Sequence, residues 1–203
     1  MIETGGEASR APDAGKPACG AWRRWLTAAA LGLALAGGAR AGDHADVVEP
    51  QDYRTDAYRT PVPKTLKGAK VVAIEEAEAL YKDGKTLFID VYPRAPKPPN
   101  LPAGTVWRDP THMTIEGAHW LPNVGYGVLS PDFEAYFRRT LAKLTGNDTG
   151  KPVLFFCLKD CWMSWNAGKR AMEWGYTNVI WFPDGTDAWQ QAGSDLVKAT
   201  PEP

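Results

Sequence analysis

Two cysteines, Cys157 and Cys161, flank the triplet Leu158-Lys159-Asp160, and Trp162 follows directly. A curved loop of this length brings two Cα atoms within the roughly 4.4–6.8 Å that a disulfide needs. Three chemistries fit the pair: a reversible dithiol–disulfide couple, a persulfide on one sulfur resolved by the other, or a structural staple. A staple closing so short a loop removes little entropy from the unfolded chain, which favours the first two. A metal site needs two further ligands. The candidate histidines beyond residue 41, His44, His112 and His119, are not at ligand spacing. The Cys-x-x-Cys-His signature of attached haem is absent, so neither metal nor cofactor is implied.

The neighbours of the pair are the next candidates. Within the loop, Lys159 adds positive charge beside the sulfurs and Asp160 opposes it, while Leu158 and Met163 shape the walls. Trp162 is the best-placed functional aromatic. Trp107, Trp120 and Trp165 either line a pocket for a flat ligand or fill the core, and core packing is favoured for Trp120 and Trp165. His112 reaches the site as a base if the insertion that carries it folds back to the same sheet edge; otherwise it is structural, as His119 is expected to be. Arg94 and Arg108 are either surface residues or the cationic grip for an anionic donor.

These residues sit on a regular alternation of elements. Lys70–Ile74 reads as a strand, Glu75–Lys82 as a helix, and Thr86–Tyr92 as a buried strand bounded by turn signals. Pro93–Met113 is a proline-rich insertion. Ala118–Leu121 is a short strand. Ser130-Pro131 caps and opens a helix through Leu144, with Phe133, Tyr136, Phe137, Leu141 and Leu144 on one face. Pro152–Cys157 is a fully apolar strand, Ser164–Trp174 a helix, Asn178–Phe182 the last strand, and a short helix surrounds Ala188-Trp189. Unbroken apolar strands alternating with helices imply an α/β fold, a parallel sheet of about five strands with helices on both faces. Cys157 ends a strand and precedes a helix, at the sheet edge where ligands gather. A helix N-terminus there lowers a thiol pKa, so the expectation is a thiolate on Cys157, with Cys161 as the resolving sulfur.

The chain has 203 residues and a formal net charge of −1, with 44% hydrophobic and 23% charged residues. That is one domain plus an appendage, with no basic balance that would suggest nucleic acid. Arg23-Arg24, the apolar run Trp25–Ala36 and Ala39-Arg40-Ala41 form the three parts of a secretory signal peptide over residues 1–41; an uncleaved anchor is the alternative. The expected organisation continues with an extended arm that packs on the domain, or a linker, over 42–69, the domain over 70–196 and a tail over 197–203. After cleavage only Cys157 and Cys161 remain, in an oxidising compartment where two close thiols need a reason to be there. No transmembrane segment is expected in the mature protein.

Strand, Cys157, loop, helix, Gly175-Tyr176, strand, Asp184-Gly185 and Ala188-Trp189 resemble the second half of a rhodanese domain. Phe88-Ile-Asp90-Val91 and Ile115-Glu-Gly117-Ala118 resemble its first half. The resemblance covers about residues 70–195, implies a three-layer rhodanese-like fold, and carries over Cys157 as the catalytic cysteine. The loop departs from the sulfur-transferring members, whose loop Gly and terminal Arg or Ser are replaced here by Asp160-Cys161-Trp162-Met163. Thiosulfate sulfurtransferase activity is weakened accordingly. The Cys-x3-Cys-Trp loop, Asn100–Gly104, Trp107-Arg108-Asp109 and Trp120–Gly127 are similar to a narrower group, the PQQ-dependent-catabolism-associated CXXCW-motif proteins. That resemblance implies a periplasmic setting and a quinoprotein dehydrogenase or its associated transporter as partner. Two functions follow as expectations: thiol-active chemistry on a small sulfur or thiol substrate, or a non-enzymatic accessory module whose cysteine loop is stapled.

Overall fold

The computed structural model describes residues 46–203; the expected signal peptide and the first residues of the arm lie outside the described residues. Three apolar runs, Leu87–Asp90, Val153–Phe156 and Val179–Phe182, form the centre of a parallel sheet. In chain order the elements are β1 (Lys70–Val71), α1 (Ile74–Asp83), β2 (Leu87–Asp90), β3 (Met113–Thr114), β4 (His119–Trp120), α2 (Pro131–Thr145), β5 (Val153–Phe156), α3 (Trp162–Glu173), β6 (Val179–Phe182), α4 (Gly185–Gln191) and β7 (Val197–Lys198). The five-stranded sheet has the order β1-β6-β5-β2-β4, and each of its pairings is parallel. This is the expected α/β architecture.

Alternation along the strands decides which helix covers which face. Ile89, Val91, Val153 and Phe155 pack with Phe137 and Leu141 of α2 and with Met163, Ala167 and Ala171 of α3. On the opposite face Phe88, Leu154, Phe156, Ile180 and Phe182 pack with Ala77 of α1 and Trp189 of α4. With both faces covered, every residue of β5 and β6 is buried. Phe155 and Phe156 are fully enclosed, and truncating either to Ala would cost about 3–5 kcal/mol. Ser130 caps α2, its Oγ accepting from the Phe133 amide at 3.3 Å, and Pro131 opens the helix. Phe133 itself is 40% exposed and belongs to a surface groove instead of the core.

Three differences from the sequence expectation matter for the site. First, Ile74 begins α1 instead of ending β1. Second, α3 starts at Trp162, two positions before Ser164. Third, the tail is part of the fold, and of the two readings of the arm it is the packed one that holds. The tail adds β7, antiparallel to β3, and the Glu202 amide donates to Trp120 O at 2.8 Å. The arm packs on the domain: Val62 and Leu66 are buried with Trp162, Trp165 and Trp181. Among the described residues no helix is long and apolar enough to cross a membrane.

Candidate functional site

Register sets the row of residues at the carboxyl edge of the sheet. Asp90 aligns with both Phe156 and Trp120, and Phe156 with Phe182. The next residue after Phe156 is Cys157, which therefore emerges at the edge where the crossover to α3 begins. Its carbonyl accepts from the Thr186 amide at 3.0 Å, and Leu158 forms a bridge to Gly185. A Cβ on Gly185 would lie 2.0 Å from Cys157 O, and the backbone there has φ +50. Only glycine permits that approach. The Lys159 amide donates to Asp187 Oδ2 at 2.7 Å, and Asp160 takes φ +54, a left-handed turn open to Asp. The chain thus reverses within three residues and delivers Cys161 back against Cys157.

Because α3 begins at Trp162, Cys161 is its N-cap residue. The positive end of the helix acts on Cys161, not on Cys157 as the sequence suggests. Both thiols are free, and each is only 1% exposed. Cys157 is pushed well above the usual thiol range, first by burial, then by its hydrogen bond and charge interaction with Cys161, then by the charge of Asp90. Cys161 moves the other way. The hydrogen bond from Cys157 lowers it most, and against the opposing burial the Met163 amide, the Arg59 charge and the Leu158 amide lower it further. Cys157 is therefore the hydrogen-bond donor of the pair, and its bond favours the thiolate form of Cys161 over that of Cys157. The expected thiolate on Cys157 is corrected by this geometry: a fully enclosed sulfur at a strand end loses more from desolvation than one loop amide returns.

Asp90 lies behind Cys157 with no exposed surface. One oxygen accepts from the Tyr92 amide at 2.8 Å; the other lies 2.7 Å from His112 Nε2 and 2.6 Å from Thr114 Oγ1. His112 stacks on Tyr92, with ring centroids 4.6 Å apart. The proline-rich insertion does bring His112 to the sheet edge, but its bonded partner is Asp90, one layer behind the sulfurs. His119 shares a 2.6 Å hydrogen bond with Glu202 of the tail, a structural position.

Arg94 and Trp107 are brought to each other and away from the cysteines. Both bond Asp109, Trp107 through Nε1 at 3.0 Å. They line a groove of about 620 Å³ with Tyr126 and Phe133, into which no residue of the 157–163 loop projects. Of the two readings of Arg94, the surface one fits: its guanidinium is committed to Asp109 and gives no cationic grip at the sulfur site. Trp120 and Trp165 are core residues, as favoured. Trp162 is also buried at 2% exposure, and its Nε1 donates to Thr60 Oγ1 of the arm at 3.1 Å.

The residues that sequence reasoning missed belong to the covering of the site. Asn166, fully buried on α3, accepts from the Arg54 amide at 3.0 Å and donates to Arg54 O at 2.8 Å and Gly125 O at 2.9 Å. Arg170 donates to the carbonyls of Val124, Tyr126 and Gly127 at 2.9–3.2 Å, fixing the segment after β4. The signal for both is a polar side chain one and two turns along the α3 face that begins at Met163. Among the described residues no three His, Cys, Asp or Glu side chains gather as a metal site.

No family model matches the chain, and no curated protein matches it. Among solved structures it is similar to the polysulfide-sulfur transferase homodimer of Wolinella succinogenes, at 21% identity over 65% of this chain and 80% of that one, TM-score 0.42. It is also similar to a thiosulfate sulfurtransferase from Pseudomonas aeruginosa, at 18% identity over 66% of this chain, TM-score 0.43; the match spans 21% of that longer protein. An uncharacterized protein from Saccharomyces cerevisiae is similar at 17% identity, over 62% of this chain and 93% of that one, TM-score 0.36.

Proposed function

We propose that residues 70–196 are a rhodanese-like domain whose Cys157–Cys161 pair carries out thiol exchange, forming and releasing an internal disulfide or a persulfide. One observation supports this above the others: the reversing loop sets Cys161, the N-cap of α3, against Cys157, so that the hydrogen bond from Cys157 lowers the Cys161 thiol while burial raises Cys157. A purely structural pair has no need of such polarisation. Cys161 attacks the sulfur donor, and Cys157 then resolves the intermediate. The Cys161-Trp162 sequence and the Trp120–Gly127 segment further support membership of the CXXCW-motif group. With it come export to the periplasm and a role beside a quinoprotein dehydrogenase of PQQ-dependent alcohol catabolism or its transporter.

Thiol titration with mass mapping, before and after mild reductant, tests the chemistry. The expected result is one intramolecular disulfide that forms and reverses in the folded protein. A pair that stays reduced under oxidant, or resists reduction until unfolding, would overturn the proposal. The burial of both sulfurs to 1% exposure favours a second reading, an accessory module with a stapled loop. Under that reading Cys157→Ser and Cys161→Ser weaken partner binding without changing any sulfur chemistry. Thiosulfate sulfurtransfer is the weakest of the three, because the loop's cation, Lys159, is opposed by Asp160 next to it.

A further inference from the structure

A peptide lies beside the cysteine pair, with Tyr58 packed against the cluster that holds both sulfurs, and the way that peptide is held identifies what else fits. Residues 46–49 and 64–67 are tied together at the base of a loop, by Asp46 with Lys64 and by Glu49 with Thr65 and the Lys67 amide. The loop between them crosses the N-terminus of α3. Several of its contacts there are to its main chain. Asn166 reads both the amide and the carbonyl of Arg54, and the first amide of α3, Trp162 N–H, donates to Tyr58 O at 2.9 Å. A Cβ on Gly127 would fall 2.2 Å from Arg54 O, so this wall lacks a side chain where the strap's backbone lies. Three side chains are held as well: Tyr58 stands edge-on to Tyr126 at 5.3 Å with its hydroxyl accepting from the Gly127 amide at 3.1 Å, Thr60 Oγ1 accepts from Trp162 Nε1, and the Arg54 guanidinium lies over the Trp162 ring. Arg59, next along, is the charge that helps to hold the Cys161 thiolate.

The strap itself is lightly built. Thr55, Asp56, Ala57 and Arg59 are exposed, and Ala57 holds φ +40, a left-handed conformation that its Cβ disfavours. Main-chain hydrogen bonds of this kind suit any extended polypeptide and give no preference for the strap's own sequence.

We propose that this cleft is a binding site for an extended polypeptide with an aromatic residue at the Tyr58 position, and that Arg54–Thr60 occupies it in place of that partner. Resting on the thiol-exchange reading, the substrate is then a protein disulfide that displaces the strap. The Cys161 thiolate attacks one sulfur, forming a mixed disulfide, and the other substrate sulfur leaves as a thiolate. Cys157 gives its proton to the second substrate sulfur as it attacks Cys161, closing the internal disulfide. Two electrons pass to the substrate, which ends as one thiol and one thiolate.

The test compares the wild-type full chain with Tyr58→Ala/Thr60→Val, which alters only the strap. The first probe is a linear peptide with one tyrosine and an alkylated cysteine, read by fluorescence anisotropy. The others are the same peptide as its symmetric disulfide and bis(2-hydroxyethyl) disulfide, read by thiol loss. Losing the Tyr58 and Thr60 hydrogen bonds opens the strap by about tenfold. Peptide affinity and Cys161 alkylation should both rise by that factor, and the peptide disulfide should react faster than the small one. Equal alkylation of the two proteins, or absence of peptide binding while the small disulfide still oxidises the pair, overturns the cleft and leaves thiol exchange standing. Peptide binding without any oxidation supports the cleft and sinks thiol exchange.

Discussion

Asp90 and His112 meet through a 2.7 Å hydrogen bond at the end of β2, the strand beside the one that leads into Cys157. The carboxylate is fully enclosed and the imidazole nearly so, at 9% exposure. Tyr92 stacks on one side of the ring, and Trp120 lies tilted 4.6 Å away. The arrangement holds the insertion onto the sheet edge and brings the charge of Asp90 to bear on Cys157.

Asp90→Asn should therefore act twice. Breaking a buried pair that also bonds Thr114 and the Tyr92 amide costs about 3 kcal/mol, read as a lower denaturant midpoint. Removing the charge also takes away one of the causes that raise Cys157. The alkylation profile of Cys157 should shift to lower pH in a Cys161→Ser background. A stability loss with no shift of that profile would show that Asp90 does not reach the sulfur electrostatically.

The two thiols should separate in pH. Cys161, lowered from the ordinary thiol value, reacts first as pH rises, below the unperturbed value of about 8.5. Cys157→Ser should slow that reaction, because the hydrogen bond from Cys157 is the main cause of the lowering. Cys157 is raised, so its folded form keeps a proton that the unfolded chain loses at alkaline pH. Its contribution to stability is present below the unfolded value and is lost as pH rises towards the folded one. Urea melts should show stability falling above about pH 8.5, and the fall should be absent in Cys157→Ser. The same fall in both proteins would assign it to other groups.

Much of this architecture is visible in the amino-acid pattern. Leu87–Asp90, Val153–Phe156 and Val179–Phe182 read as buried strands because four consecutive apolar or strand-ending residues between turn signals suit a sheet covered on both faces. The cysteine loop is legible because two thiols at that spacing, after a buried strand, fit few roles beyond sulfur chemistry and a staple. The start of α3 is not legible: Trp162-Met163 reads as loop, and only the cap position of Cys161 shows that the helix acts on the second sulfur. The strap leaves little trace in the pattern because several of its contacts are made by main-chain atoms of Arg54 and Tyr58, which every sequence has, and its side-chain contacts through Tyr58 and Thr60 follow no period. Two-residue strands such as β3 and β7 are too short to carry a period.

Gly127→Ala is the cleft-side counterpart of the strap variant. A new Cβ 2.2 Å from Arg54 O and 2.9 Å from Thr55 Cγ2 forces the strap outward, since Arg170 fixes the Gly127 carbonyl on the other side. Stability should fall by about 1–3 kcal/mol, while the cysteine pair becomes accessible to iodoacetamide in the folded state. Unchanged alkylation with normal folding would mean that the strap does not control access.

Deleting residues 197–203 probes the other flank. The deletion removes the β7–β3 pairing, the Ala199 amide bond to His112 O, the Glu202 amide bond to Trp120 O and the Glu202–His119 contact. It also leaves the β4 edge and Trp120 facing water, with an unpaired row of backbone groups beside them. Four net hydrogen bonds at about 1 kcal/mol each set the expected scale at about 3–4 kcal/mol. Thermal unfolding should move down by more than about 10 °C at roughly 4 °C per kcal/mol. His112 loses its backbone tie but keeps Asp90, so the reactivity of Cys161 at fixed pH should stay within about twofold below the new melting temperature, a change of under about 0.5 kcal/mol. A larger change, with the fold intact by circular dichroism, would place the tail in the chemistry of the site as well as in its support.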